Sequence, residues 1–242
     1  MSKVESLAQL RAGTMPERYL RNLGTIGIEG QTKLLNACIA VIGSGGLGGL
    51  VIELLTRMGV GYIRVIDGDT FAPHNLNRQV LSSEDNLGQP KVLAAVRRAA
   101  EINSDTQIEA VNDMLTEANA AELISGCQVV VDALDSIGDR LTLARVARSH
   151  GIPLVHAAIA GFTGQVMTVF PEDKGIEAIY RDASINKGVE VALGNPAATP
   201  AIAAALEVQE VVKIITGKGQ PLRNKLLYFD TEYNSFEILQ LS

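Results

Sequence analysis

Apolar residues fall into short blocks along the 242-residue chain, and the blocks alternate between two periods. Cys38-Ile39-Ala40-Val41-Ile42 is continuously apolar and runs into the glycine cluster GSGGLGG at 43–49. A short run of this kind, bounded by glycines, predicts a strand buried on both faces. Leu47, Val51, Leu54, Leu55 and Met58 then recur at helical spacing, and Gly59 stands where a C-terminal cap is expected. Tyr62–Ile66 predicts a second strand, ending at Asp67. Pro90 opens a helix carrying Val92, Ala95, Val96, Ala99 and Ile102. Further strands are expected at 108–111, 129–133 and 154–158, with helices at 118–124 and 140–150. Strands alternating with helices imply an α/β fold, a Rossmann-like, doubly wound and mainly parallel sheet.

The alternation breaks after residue 160. Gln165–Phe170 reads as a strand outside it, and 172–196 as a long loop without a period. Ala201–Thr216 is an apolar helix closed by Gly217, and Leu226–Phe229 with Phe236–Leu241 predicts antiparallel C-terminal strands. No composition break marks a second domain. The chain reads as one domain, with a helical segment at 1–36, a βαβ core at 37–160 and a C-terminal part at 161–242.

Composition narrows the classes. Hydrophobic residues at 47% suffice for a sizeable core, and charged residues at 20% are too few for general disorder. A net charge of −6 argues against a protein that coats nucleic acid or an anionic membrane. No run reaches the ~18 apolar residues of a membrane span, and the N-terminus lacks a signal-peptide core. The two cysteines, Cys38 and Cys127, exclude a disulfide framework and a C-x-x-C knuckle. A soluble cytoplasmic protein is expected.

Gly43-x-Gly45-x-x-Gly48, with Gly46 between them, sits at the strand-to-helix turn where a nucleotide loop belongs. Glycines permit the tight turn, and the helix N-terminus favours phosphate. Asp67 lies about 20 residues on, at a strand end, as a ribose acceptor should. This motif alone does not separate NAD from ATP. The following segment does, because Asn75, Arg78, Gln79 and then Gly88-Gln89-Pro90-Lys91 bring two cations towards the nucleotide. An enzyme that splits ATP uses such cations for charge developing on phosphoryl oxygens and pyrophosphate. Taken singly, Arg78 and Lys91 read as solvated surface charges; the constellation reverses that reading.

GSGGLGG, the D-x-D of Asp67 and Asp69, NLNRQ, GQPK and DALD together resemble the E1-like adenylating enzymes. These are the ThiF/MoeB/HesA-type activators of sulfur-carrier proteins in thiamin and molybdopterin synthesis, with the ubiquitin-activating enzymes. The resemblance runs from about Arg18 to the C-terminus. It implies an ATP-dependent adenylyltransferase. A small ubiquitin-like partner ending in Gly-Gly presents its carboxylate to ATP and Mg²⁺, giving an acyl-adenylate and pyrophosphate. It places Gly43, Gly45 and Gly48 at the nucleotide, Asp67 on the ribose, and Asn75, Arg78 and Lys91 at the phosphates. It makes Asp135 the Mg²⁺ ligand; Asp132, in the strand three residues earlier, reads as a buried structural acid or a group supporting the ligand from behind. Arg18-Tyr19-Leu20-Arg21 matches a segment whose arginine enters the neighbouring subunit's site, so Arg21 is expected to act in trans in a homodimer.

Two family features are missing. With two cysteines a four-thiolate zinc site is excluded, so no zinc is expected. The loop position that carries an acyl-accepting cysteine in many members falls near Ala192. Cys38 and Cys127 read as core thiols, and no thioester on this chain is expected. His74 is read as a loop residue beside the nucleotide segment, His150 as a helix-end histidine and His156 as a structural one. Three other functions compete with it: dehydration of a modified tRNA nucleoside after ATP activation, a nucleotide-binding scaffold without turnover, and an NAD-dependent oxidoreductase. The retained Arg78, Lys91 and Asp135 speak against the last two, and the acidic balance against tRNA.

Overall fold

The computed structural model describes residues 2–180, 188 and 190–241. Within the expected long loop at 172–196, residues 181–187 and 189 lie outside the described residues. Two helices, α1 (Lys3–Arg11) and α2 (Leu23–Asn36), precede the first strand, joined through a 3₁₀ segment at Glu17–Asn22. The βαβ series follows as β1 (Cys38–Ile42), α3 (Gly46–Met58), β2 (Tyr62–Ile66), α4 (Lys91–Ile102), β3 (Gln107–Val111), α5 (Ala120–Ile124), β4 (Val129–Asp132), α6 (Ile137–Ser149) and β5 (Leu154–Ala160). The chain then folds into β6 (Thr163–Val169), α7 (Glu190–Leu193), α8 (Ala198–Thr216), β7 (Lys225–Asp230) and β8 (Ser235–Gln240).

All eight strands form one sheet in the order β3-β2-β1-β4-β5-β6-β7-β8. Pairs from β3 to β5 are parallel, and those from β5 to β8 antiparallel. The continuous apolar run of β1 has a direct cause. Ile39 and Val41 pack with α3, α4 and α8, while Ala40 and Ile42 face the cluster built by α5 and α6. Alternate side chains point to opposite faces, so a strand covered on both sides carries no polar alternation.

Several boundaries differ from the sequence expectation. α6 begins at Ile137 and α8 at Ala198, three residues earlier than the apolar spacing shows. Ser136 caps α6 by accepting from the Asp139 N–H, and this polar first turn is invisible to a hydrophobic period. α5 starts at Ala120, and the 172–196 segment contains a 3₁₀ turn at Ile176–Ala178 and the short α7. The strand order reverses at β1, with β2 and β3 on one side and β4 and β5 on the other. In such sheets the crevice beyond the strand C-termini is where ligands bind.

Candidate active site

A cavity of about 570 Å³ opens over the C-terminal ends of β1, β2, β4 and β5. Its floor is the glycine turn. Gly43 has φ of 97°, and a Cβ there would lie 2.5 Å from the Ala133 carbonyl oxygen. A Cβ on Gly48 would lie 1.9 Å from the Gly43 carbonyl oxygen. Gly48 therefore does not line the cavity; it lets α3 start hard against the turn. The free N–H groups at the start of α3 then sit beside Gly45 and Gly46, which do line it.

Asp67 is committed to its own chain. Its Oδ2 accepts from the Ser44 N–H at 2.7 Å and the Ser44 hydroxyl at 2.9 Å, and its Oδ1 from the Asp69 N–H at 2.8 Å. The residue expected on the ribose is thus mainly a brace for the glycine turn. The Asp69 side chain is 60% exposed and lines the same cavity. Lys91 donates to Asp69 at 2.9 Å and lies 4.0 Å from Asp67, with its side chain only 8% exposed. A cation at the first residue of α4 opposes the helix dipole, and the two carboxylates offset that cost.

Arg78 lines the cavity and is tethered through Nη1 to the His74 carbonyl and the Asn77 side chain, each at 3.0 Å. Gln79 lines it too, and its buried Oε1 has no partner among the described residues. Asn75 differs from expectation. It is buried and its Oδ1 accepts from the Ala72 N–H at 2.9 Å, so it shapes the loop that presents Arg78 rather than lining the cavity. His74 is exposed in that loop, and His150 closes α6 with Nδ1 2.9 Å from the Val146 carbonyl.

Asp135 lies beyond β4, exposed and lining the cavity, and no described side chain pairs with its carboxylate. Asp132, three residues earlier, is wholly buried and 2.7 Å from His156 Nδ1. Arg21 is exposed on the 3₁₀ segment and does not line this chain's cavity. Arg18 instead donates to Asn103 and lies 3.9 Å from Asp105. The cysteines sit at the opposite end of the sheet. Cys38 is half-buried rather than a core thiol, Cys127 is buried, and their Sγ atoms are 3.1 Å apart.

The sequence reading missed the far wall, formed by Arg140, Gln165, Tyr180 and Tyr228. Burial opposes the Arg140 charge, but Asp132 and Tyr180 hold its pKa above the ordinary value. Burial raises the Tyr180 hydroxyl and lowers His156 despite its bond to Asp132, leaving a neutral phenol and imidazole. Arg140 stands five residues past Asp135, which was the one local signal for it; Tyr180 comes from an aperiodic segment.

The arrangement fits a nucleoside triphosphate. It has a glycine cradle at a helix N-terminus, a buried Gln79 oxygen without a partner among the described residues, and the cations Arg78 and Lys91 beside them. Among the described residues no group of three or more His, Cys, Asp or Glu is placed to hold a metal. The exposed Asp135 carboxylate suits Mg²⁺, which takes most of its ligands from phosphate and water. No helix among the described residues is long and apolar enough to cross a membrane.

Residues 19–242 match the ThiF family. The chain is 34% identical to the SAMP-activating enzyme E1 of Haloferax volcanii over 228 residues, covering 93% of this chain and 84% of that protein. It is 34% identical to the sulfur carrier protein adenylyltransferase of Thermus thermophilus over 241 residues, covering 92% and 86%. Identity to the molybdopterin-synthase adenylyltransferase of Escherichia coli is 32% over 230 residues, covering 93% and 92%. The solved structure of E. coli MccB with ATP superposes with a TM-score of 0.81 at 24% identity, over 94% of this chain and 72% of that one, and shares the fold. The NAD-dependent oxidoreductase reading is thereby set aside. This chain belongs to the ThiF family and is an E1-like, ATP-dependent adenylyltransferase.

Proposed function

We propose that the chain activates the C-terminal glycine carboxylate of a small ubiquitin-like sulfur carrier, of the thiamin or molybdopterin type, as an acyl-adenylate. One carrier carboxylate oxygen attacks the α-phosphorus of ATP, the α–β bridging bond breaks, and pyrophosphate leaves. Arg78 and the buried Lys91 face the phosphates, where charge grows on the departing pyrophosphate. Asp69, paired with Lys91 but mostly exposed, takes the ribose hydroxyls together with Asp67, while Asp67 braces the turn. Asp135 would hold Mg²⁺, which when bound neutralises phosphate charge. The carrier tail enters over β5 to β7, the half of the cavity beyond Asp135.

The observation that carries this reading is one cavity holding the glycine turn, Arg78, Lys91 and an Asp135 unpaired among the described residues, in a chain whose relatives at 32–34% identity are named E1 enzymes or adenylyltransferases. No cysteine lies at the cavity, so the adenylate passes to an external sulfur nucleophile. The active form is a homodimer in which Arg21 reaches the neighbouring cavity. The test uses a carrier whose C-terminal carboxylate bears heavy oxygen. After the nucleophile attacks the adenylate carbonyl, the bridging oxygen leaves with AMP, so AMP carries the label. Label in inorganic phosphate, with ADP as product, would overturn the reading.

A further inference from the structure

A closed ring of hydrogen bonds surrounds the backbone just before Asp135. Asp132 Oδ1 accepts the Leu134 N–H at 3.0 Å. The Leu134 carbonyl accepts from Arg140 Nε at 3.0 Å and also from Nη2. Arg140 Nη1 donates to the Tyr180 hydroxyl oxygen at 2.9 Å, and Gln165 Nε2 donates to the same oxygen at 3.2 Å. The Tyr180 oxygen lies 3.2 Å from His156 Nε2, and His156 Nδ1 lies 2.7 Å from Asp132 Oδ2.

The proton positions follow from the partners. Arg140 and the Gln165 amide nitrogen only donate, so they occupy the lone pairs of the Tyr180 oxygen. The Tyr180 proton must then go to His156 Nε2. His156 is left with its proton on Nδ1, donated to Asp132. Every polar group in the ring is satisfied only when the imidazole is neutral in this tautomer. Asp132 and His156 are wholly buried, so an unsatisfied member would be costly.

The ring joins β4, α6, β5 and the chain just after the 3₁₀ turn at Ile176–Ala178. Between Asp132 and Arg140, both the N–H and the C=O of Leu134 are held. Leu134 is the residue before Asp135, whose own carboxylate has no partner among the described residues to orient it. We propose that His156, Tyr180 and Arg140 are positioning residues that fix the Leu134–Asp135 backbone and so aim the Asp135 carboxylate at the metal-bearing phosphates. This rests on the assignment of Asp135 to Mg²⁺.

Tyr180→Phe removes the hydroxyl and keeps the ring shape. It is expected to raise the Mg²⁺ KM for pyrophosphate exchange about tenfold, in the range of second-sphere changes at metal sites, with kcat at saturating Mg²⁺ near wild type. In nucleotide-free protein it should speed hydrogen exchange at the Leu134 and Asp135 amides while β1 and β2 keep their protection. His156→Asn keeps the bond to Asp132 and breaks the same link from the other end. The double variant should therefore lose little more than either single one. An unchanged Mg²⁺ KM with unchanged protection at Leu134, or additive losses, would overturn the proposal. So would faster exchange across the whole sheet, which would make the hydroxyl a general stabiliser. Should His156→Asn fail to fold, Tyr180→Phe decides alone. Asp135→Ala separates the two readings. If it retains full exchange activity, the metal assignment fails; if it is inactive while Tyr180→Phe is wild type in both readouts, only the ring inference fails.

Discussion

Glu207 in α8 is wholly buried, and neither carboxylate oxygen has a partner among the described residues. Burial, with the nearby Asp132 charge, raises its pKa well above 4.5, so the fold favours its protonated form. A folded pKa above the unfolded one gives stability that is complete below the unfolded value and is lost as pH rises through the folded value. Urea unfolding between pH 5 and 8 should show this group's downward slope, at most ~1.4 kcal/mol per pH unit. Glu207→Gln should remove that slope; an unchanged slope would refute a protonated Glu207. Gly48 makes a steric prediction at the same scale. Gly48→Ala must displace α3 from the Gly43 carbonyl, costing about 1–3 kcal/mol and weakening ATP binding. Denaturant melts and calorimetry check both effects. Glycines and Lys91 were legible in the sequence because their meaning is local: a turn, a helix start, a fixed spacing. The ring around Leu134 was not, because its members come from four elements and leave no period. His156 and its partner Asp132 stand 24 residues apart, and nothing in the sequence pairs a structural histidine with that acid.

At the scale of elements, strand direction separates the thiols from the chemistry. Cys38 begins β1 and the glycine turn follows its other end. Five residues at about 3.3 Å each place roughly 16 Å between them. The contact with Cys127 lowers the Cys38 pKa, and Arg64 also favours the thiolate form, but this sulfur lies away from the cavity. A Cys38→Ala, Cys127→Ala double variant should keep pyrophosphate exchange with some loss of stability. Recovery of a thiol-sensitive adduct between chain and carrier would contradict this. The element pattern itself was largely legible, since buried parallel strands and amphipathic helices write their periods into the chain. The starts of α6 and α8 were not, because their first turns follow capping and Pro/Thr chemistry rather than an apolar stripe. The crossover segment carries no period, so its contribution of Tyr180 to the site became visible only in three dimensions.

For the whole molecule, the cavity of one chain holds Arg78 and Lys91 but not Arg21, which is exposed on the 3₁₀ segment before the sheet. Mixing Arg21→Ala with Asp135→Ala chains, each inactive alone, tests whether Arg21 serves a neighbour. A two-fold heterodimer then has one site with both defects and one with none, so activity should recover to about half of wild type. No recovery with proven heterodimers would exclude a trans role. The central claim is that this cavity joins a carrier carboxylate to the α-phosphate of ATP, and isotope exchange between pyrophosphate and ATP reads that step directly. Exchange should appear only when a carrier ending in Gly-Gly and Mg²⁺ are both present, and Asp135→Ala should abolish it while leaving the thermal melt near wild type. Exchange that ignores the carrier, or survives loss of Asp135 at saturating Mg²⁺, would contradict the account.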